Sequence, residues 1–147
     1  MVETYRGMTL IEQYEQNNGF TELLGMRLSI LEEGQVQYRM KVKAEHLATP
    51  GFLHGGVITT MLDATMGAGA LTLVARNNQV VSTIEMQVNF LHAAKQGEEL
   101  IATSKLIRLG KKVIFMHAEI KNESNLTLAV ANGTFFPFAA EKAGYKI

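Results

Sequence analysis

A long run with a single formal charge occupies the middle of this chain. Between Glu45 and Arg76 only Asp63 carries a formal charge, and the residues from about Gly55 to Ala75 are otherwise apolar, small or hydroxyl-bearing. A segment this long and this apolar predicts a helix that other structure covers on most sides. An ionised carboxylate on such a helix is costly unless a partner or a function compensates it.

Alternating apolar and polar residues predict strands on both sides of this helix. We expect a hairpin before the helix and four strands after it, joined by short turns and therefore antiparallel. Within the first strand after the helix, Thr83 falls in the polar row. The rows that alternate with polar residues are Met26, Leu28, Ile30; Val36, Tyr38, Met40, Val42; Ile84, Met86, Val88, Phe90; Ile114, Met116, Ala118, Ile120; and Leu126, Leu128, Val130.

The two ends of the chain carry weaker signals. Thr9 and Glu12 have the spacing of a capping box, which predicts a short helix over about residues 9–17. From about residue 138 we expect a loose tail. Because no linker or repeat divides the chain, residues 1–147 are interpreted as one domain. The predicted class is α+β, with an antiparallel sheet wrapped around one long helix.

Composition excludes several kinds of protein. The 147 residues include 14 acidic and 14 basic side chains, so no overall field attracts nucleic acid or an anionic membrane. With no cysteine, disulfides and thiolate chemistry are excluded, and His46, His92 and His117 lack metal-ligand spacing. The N-terminus lacks the pattern of a signal peptide, and glycines and Asp63 argue against a membrane span. We expect a soluble cytoplasmic protein.

The start of the predicted helix, His54-Gly55-Gly56, can bind a ligand through its backbone. The first N–H groups of a helix have no intrahelical acceptor, and glycine lets a ligand atom approach closely. These donors could stabilise a carbonyl oxygen that gains charge in a transition state. The glycines could equally serve only to turn the loop into the helix. His54 could act as an acid or base, although a structural hydrogen-bonding role is preferred.

Asp63 lies about two helical turns further on. Its stripe of the helix includes Thr59, Thr60 and Gly67, which are small or polar. No cation lies within a turn or two, which favours a general base or nucleophile over a structural Asp held by an ion pair.

A cluster of cations flanks a later turn. Arg108, Lys111 and Lys112 surround Leu109-Gly110 and could bind phosphates, or form an ordinary solvated turn.

With these residues in view, the chain resembles the hotdog-fold acyl-CoA thioesterases of the phenylacetate-pathway (PaaI-like) type. The resemblance rests on Leu53-His54-Gly55-Gly56, on Met61-Leu62-Asp63, and on the strand over residues 81–90. It implies a hotdog fold, homodimers with interfacial active sites that usually pair into homotetramers, and an acyl-CoA substrate without a further cofactor or metal.

The resemblance also implies a role for each matching residue. Gly55 would supply the N–H that polarises the thioester carbonyl, and Asp63 of the other chain would activate water or attack the carbonyl carbon. Thr83 would help to hold the water. Substrate contacts are implied for His54, Gly56, Arg108, Lys111 and Lys112, the three cations lying near the nucleotide phosphates of coenzyme A.

One position departs from the family pattern. Where some relatives have Asn or Gln, six residues before the motif histidine, this chain has Ala48. The residues do not specify the acyl group, the tetramer geometry, or a choice between general-base and anhydride routes. Two alternatives are a hotdog protein that binds acyl-CoA without turnover and a dehydratase of the same fold. The Asp–His pair of such dehydratases is not found here.

Overall fold

The structure, a computed structural model, describes residues 8–147. Its core is a six-stranded antiparallel sheet packed around one long helix, which confirms the predicted α+β class. In chain order the elements are α1 (Leu10–Asn17), α2 (Gly19–Leu23), β1 (Arg27–Glu32), β2 (Gln35–Lys41), β3 (Leu47–Thr49), β4 (Phe52–Leu53), α3 (Gly55–Val74), β5 (Gln79–Phe90), β6 (Glu99–Leu109), β7 (Ile114–Asn122) and β8 (Thr127–Ala139).

The sheet has the strand order β1-β2-β6-β7-β8-β5, and every neighbouring pair is antiparallel. β3 and β4 form a separate small hairpin before the helix. The strand that follows the helix, β5, is therefore an edge strand. Its outer side has no strand beside it in the described part of the chain.

The long helix α3 contacts β2, β5, β6, β7 and β8, and so lies across most of the sheet. Met61, Leu62 and Met66 are fully buried on it. At Gly69 the helix comes so close to β6 that a Cβ atom would lie 2.5 Å from Ser104 Oγ. By length and composition this helix could cross a membrane, but 67% of its most apolar window is buried in the protein. Its apolar character matches its position in the core.

The short helix expected over residues 9–17 is confirmed, and its capping box is complete. The Thr9 hydroxyl accepts from the Glu12 N–H, and the Glu12 carboxylate accepts from the Thr9 N–H. The sequence patterns do not predict α2. Asn18 ends α1 and then caps α2 by accepting from the Thr21 N–H, so one residue serves two helices.

Bulges interrupt several strand pairs, and those in β8 and β5 change which predicted side chains are buried. Ile114, Met116, Ala118 and Ile120 of β7 are fully buried, as their alternation predicts. In β8 the predicted row is right only at Leu128, because the bulge opposite Ile120/Lys121 shifts the register there, and beyond it the buried side chains are those of Ala129, Ala131 and Phe135. In β5 the bulge lies between Thr83 and Glu85 and leaves Ile84 56% exposed, so Ile84 does not belong to the buried row.

The C-terminal segment is not the loose tail that we predicted. β8 continues to Ala139, and a 3₁₀ turn over Ala140–Ala143 follows. Ala140 is fully buried. The side chain of Gln13 on α1 binds the backbone of Lys146 twice, donating from Nε2 to its C=O (2.8 Å) and accepting from its N–H (3.2 Å). Composition gave no sign of this contact between the two ends of the chain.

Candidate active site

Asp63 and Thr83, both predicted as site residues, lie together. The Thr83 hydroxyl on β5 donates a 2.7 Å hydrogen bond to Asp63 Oδ1 on α3. Asp63 is half-buried, and in the described residues neither of its carboxylate oxygens takes part in a salt bridge. The ion-paired structural role considered for this carboxylate is therefore not found.

The bulge in β5 makes this contact possible. Side chains alternate between the two faces of a strand, so in a regular strand Thr83 and Met86 would face opposite ways. One extra residue at Ile84 moves them onto the same face. As a result Met86 and Val88 pack against the core while Thr83, from the predicted polar row, also reaches the helix.

The helix start is organised by His54. Its Nδ1 accepts a 2.7 Å hydrogen bond from the Gly56 N–H, which makes His54 the N-cap of α3. The Gly56 N–H is therefore used within the chain, whereas within residues 8–147 the Gly55 N–H meets no acceptor. The Phe90 ring covers one side of Gly55, since a Cβ atom there would lie 3.4 Å from Phe90 Cε1. Of the two glycines, Gly55 is the one that can donate to a ligand.

Gly55 and Asp63 cannot act on the same carbonyl group from one chain. They are eight residues apart on a single helix, which separates them by about 12 Å along its axis. A site that uses both groups needs two copies of the chain. The edge strand β5 connects the two regions, because Thr83 contacts Asp63 and Phe90 covers Gly55.

The three cations predicted to bind phosphates do not contact Asp63 or Thr83. Arg108, Lys111 and Lys112 are exposed around the β6–β7 turn. Leu109 pairs across the sheet through Ile114 and Phe135 to Thr83, so the turn is three strands away, about 14 Å. In the part of the chain that the structure describes, none of the three cations forms a salt bridge.

The loop before the helix is fixed by a histidine that sequence reasoning missed. His46 is 1% exposed, its Nδ1 accepts from the Lys43 N–H, and its C=O accepts from the His54 N–H. A 3₁₀ turn at Ala44–His46 positions this ring. Ala48, which replaces the Asn or Gln of some relatives, is exposed and brings no polar side chain to the site.

A cavity of about 290 Å³ opens beside Asp63. Asp63 is the one charged residue among residues 8–147 that lines it, and the other walls come from α3, β5, β8, α1 and the C-terminal segment. Sequence reasoning could not place the last two here, because their residues are far from the motif and carry no motif of their own. A larger open groove of about 740 Å³ lies along α1 and α2, but neither Asp63 nor Gly55 lines it.

Comparisons with known proteins point to one family. The family model described as the Thioesterase superfamily matches residues 50–129. Acyl-coenzyme A thioesterase 13 of Homo sapiens is 29% identical over 122 residues, covering 83% of this chain and 82% of that protein. Medium/long-chain acyl-CoA thioesterase YigI of Escherichia coli (strain K12) is 29% identical over 138 residues, covering 84% of this chain and 88% of that protein.

A solved structure confirms the predicted fold. The E. coli PaaI protein, from the phenylacetic acid degradation operon, has a TM-score of 0.80 and 21% sequence identity. The match covers 86% of this chain and 89% of that one. The long helix with its antiparallel sheet is therefore the hotdog arrangement expected from the sequence.

Proposed function

Because this chain belongs to the thioesterase superfamily and is a thioester hydrolase, we propose that it cleaves acyl-coenzyme A with Asp63 of one protomer and the Gly55 N–H of another. The observation that carries the proposal is the placement of Asp63. It is half-buried, bonded to the Thr83 hydroxyl, and lines a cavity most of whose other lining residues are apolar. The names of relatives that act on acyl-CoA support the same substrate class.

The proposed reaction follows from the chemistry of these groups. Asp63 takes a proton from water as the water oxygen attacks the thioester carbon. The Gly55 N–H stabilises the oxyanion that forms, and Thr83 orients the carboxylate or the water. The intermediate collapses when the carbon–sulfur bond breaks, and the thiolate of coenzyme A leaves and takes up a proton. No further cofactor enters this scheme.

A covalent route uses the same residues. An oxygen of Asp63 attacks the carbonyl carbon and expels the thiolate, and water then hydrolyses the mixed anhydride. We place the general-base route ahead because Thr83 holds Oδ1, which keeps the carboxylate in one orientation and leaves Oδ2 to take a proton.

The proposal requires an assembly of at least two chains. The 12 Å axial separation of Gly55 and Asp63, estimated from helix geometry, prevents one chain from completing the site. An unpaired sheet edge invites pairing with another strand. β5 is such an edge, and Ile84 and Phe90 on it are 56% and 58% exposed. We infer a homodimer joined along β5, and a cytoplasmic homotetramer as its further assembly.

Arg108, Lys111 and Lys112 complete the proposed substrate site. They are exposed and free of carboxylate partners within the described residues, as cations that bind phosphates need to be. Their distance from Thr83, about 14 Å from strand spacing, separates a phosphate-binding region from the thioester centre.

The test is hydrolysis of a panel of acyl-CoA thioesters, followed as release of free thiol. We expect turnover by the parent protein and a loss of about 10²–10⁴-fold in Asp63→Asn with unchanged thermal unfolding. Glu22→Gln, which removes an exposed carboxylate on α2, is the matched control and retains parent activity. No turnover by the parent, or full turnover by Asp63→Asn, would contradict the proposal.

A further inference from the structure

The cavity beside Asp63 follows one stripe of the long helix. Asp63, Gly67 and Leu71 all line it and are spaced four residues apart, so they stack along the same face of α3. From Asp63 to Leu71 the stripe is about 12 Å long. Gly67, in the middle of the stripe, has no side chain and so leaves this part of the cavity, which forms a channel along the helix, open. A methyl group there would lie 3.6 Å from Phe135 Cε1, an ordinary contact, and a larger side chain would project further.

Beyond the carboxylate most of the residues that line the cavity are apolar. Val80, Val81 and Phe138 line it from the sheet, together with Phe135, which is 1% exposed. In the part of the chain that the structure describes, no charged side chain other than that of Asp63 lines the cavity. Such a wall binds hydrocarbon and disfavours a charged or strongly hydrated group.

Two tyrosines line the cavity at the Leu71 end, away from Asp63. Tyr14 comes from α1 and Tyr145 from the C-terminal segment, and both pack beside Leu71 and Val80. The two hydrogen bonds between the Gln13 side chain and the Lys146 backbone fasten this segment to α1 directly next to Tyr145. The two segments that carry these tyrosines are therefore fixed to each other.

We propose that this cavity receives the acyl chain of the substrate and that Tyr14 and Tyr145 set the maximum chain length. The inference rests on the proposed function, because the thioester carbon must lie at Asp63. A volume of about 290 Å³ corresponds to roughly ten water-sized groups. A straight, medium-length alkyl chain fills the 12 Å stripe, as estimated from helix rise. A phenylacetyl group is shorter and leaves the end near Tyr145 unfilled.

Substitutions at both ends of the channel test the assignment through the profile of kcat/KM against chain length. In the parent, kcat/KM should rise about fourfold per methylene until the cavity is full. Gly67→Leu should block the channel and lower kcat/KM for medium chains at least about tenfold more than for acetyl-CoA. Gly67→Ala, whose methyl group fits, reports whether a change in helix propensity alone alters the profile.

Tyr145→Ala should have the opposite effect. Removing the ring lengthens the cavity and moves the optimum to longer chains, whereas Tyr145→Phe retains the ring and keeps the parent optimum. Thermal unfolding identifies variants that fail to fold. If folded Gly67→Leu and Tyr145→Ala proteins both keep the parent profile, the cavity is not the acyl site.

Binding separates this inference from the proposed hydrolysis. Calorimetric titration of Asp63→Asn with acyl-CoA thioesters measures affinity against chain length without turnover. Affinity that rises with chain length and shifts in the Gly67 and Tyr145 variants supports the cavity, even if the parent hydrolyses nothing. Hydrolysis by the parent together with affinity independent of chain length overturns the cavity assignment alone.

Discussion

The Thr83 hydroxyl lies 2.7 Å from Asp63 Oδ1 and joins the edge strand to the central helix. The bond occupies one carboxylate oxygen, and in the described residues Oδ2 has no hydrogen-bond donor. An extra residue in β5 turns Thr83 toward the helix, so the bulge is what places the Thr83 hydroxyl beside Asp63. The most direct tests of the site alter these few atoms.

Removing the Thr83 hydroxyl should weaken catalysis without unfolding the protein. Thr83→Val keeps the shape and strand preference of the side chain but loses the donor, so we expect kcat to fall about tenfold. Thr83→Ser retains the donor and should lie close to the parent. Steady-state kinetics on the best acyl-CoA measures both, and equal kcat values for the two variants would contradict the role of the hydroxyl.

The Gly55 N–H can be removed with little change to the helix. Gly55 is the first residue of α3, where proline is tolerated, and His54 before it has the extended backbone (φ −68, ψ 132) that proline requires. Gly55→Pro should therefore cost about 10²–10³-fold in kcat by deleting one oxyanion donor. Gly55→Ala adds a similar Cβ near Phe90 but keeps the N–H. Comparable losses in both variants would indicate steric blockage instead.

Mixed dimers should reveal that each site spans two chains. Co-expressed Asp63→Asn and Gly55→Pro chains, each inactive alone, form hybrid dimers in which one site has both intact groups. Each purified hybrid has one intact site of two, so its activity should recover to about half of the parent value, and to about a quarter in the unseparated mixture from random pairing. Purification through two different tags and a thiol-release assay measure the recovery. No recovery in verified hybrids would place both groups of a site on one chain.

His54 should act mainly as a helix cap. Its Nδ1 accepts from the Gly56 N–H, so His54→Ala should lower the free energy of unfolding by about 1 kcal/mol, whereas His54→Asn, also a good N-cap, should restore it. Urea unfolding measures the stabilities, and kinetics of His54→Asn tests the role. A large loss of kcat in a stable His54→Asn protein would assign the imidazole to the chemistry.

Alkaline pH should destabilise the protein through Tyr14. Burial, and next the neighbouring Tyr38, raise the pKa of Tyr14 above its ordinary value of 10.0. A raised pKa in the folded state gives stability that is complete below pH 10 and is lost above it, because only the unfolded chain releases the proton there. The free energy of unfolding should fall by up to about 1.4 kcal/mol per pH unit above that point.

Tyr14→Phe provides the control for this pH dependence. The variant should show a shallower decrease between pH 9 and 11, although Tyr38 and Tyr145, whose pKa values burial also raises, still contribute. Urea unfolding across this pH range measures the slope. An identical slope in parent and variant would assign the effect to other groups.

Periodicity predicted the elements whose geometry is regular. The run around Asp63 predicted α3, the row from Ile114 to Ile120 predicted the buried face of β7, and Thr9 with Glu12 predicted the start of α1. These elements follow intrinsic helix and strand repeats, which a sequence displays directly. The resemblance supplied Thr83 as a site residue, while its position in the polar row of a regular strand argued against it.

The rest depended on contacts between distant segments. Nothing near Ile84 signals a bulge, because its neighbours alternate regularly whether or not a residue is left unpaired. The contact between Gln13 and Lys146 joins opposite ends of the chain, and its donors and acceptors include backbone groups that every residue carries. Hence the carboxylate was predictable from the sequence, whereas the closed end of the cavity beside it was not.

The unpaired residue in β5 also determines which genetic changes this strand can accept. Replacing Ile84 leaves the core of the chain intact, since its side chain lies outside the core, on the strand edge proposed as the dimer interface. Deleting that single codon would instead restore a regular ladder. The side chains in one half of the strand would then point to the opposite face of the sheet. Either Thr83 would leave the helix or Met86 and Val88 would leave the interior. Insertions and deletions at this position should therefore be far rarer than substitutions when natural variants of the chain are compared.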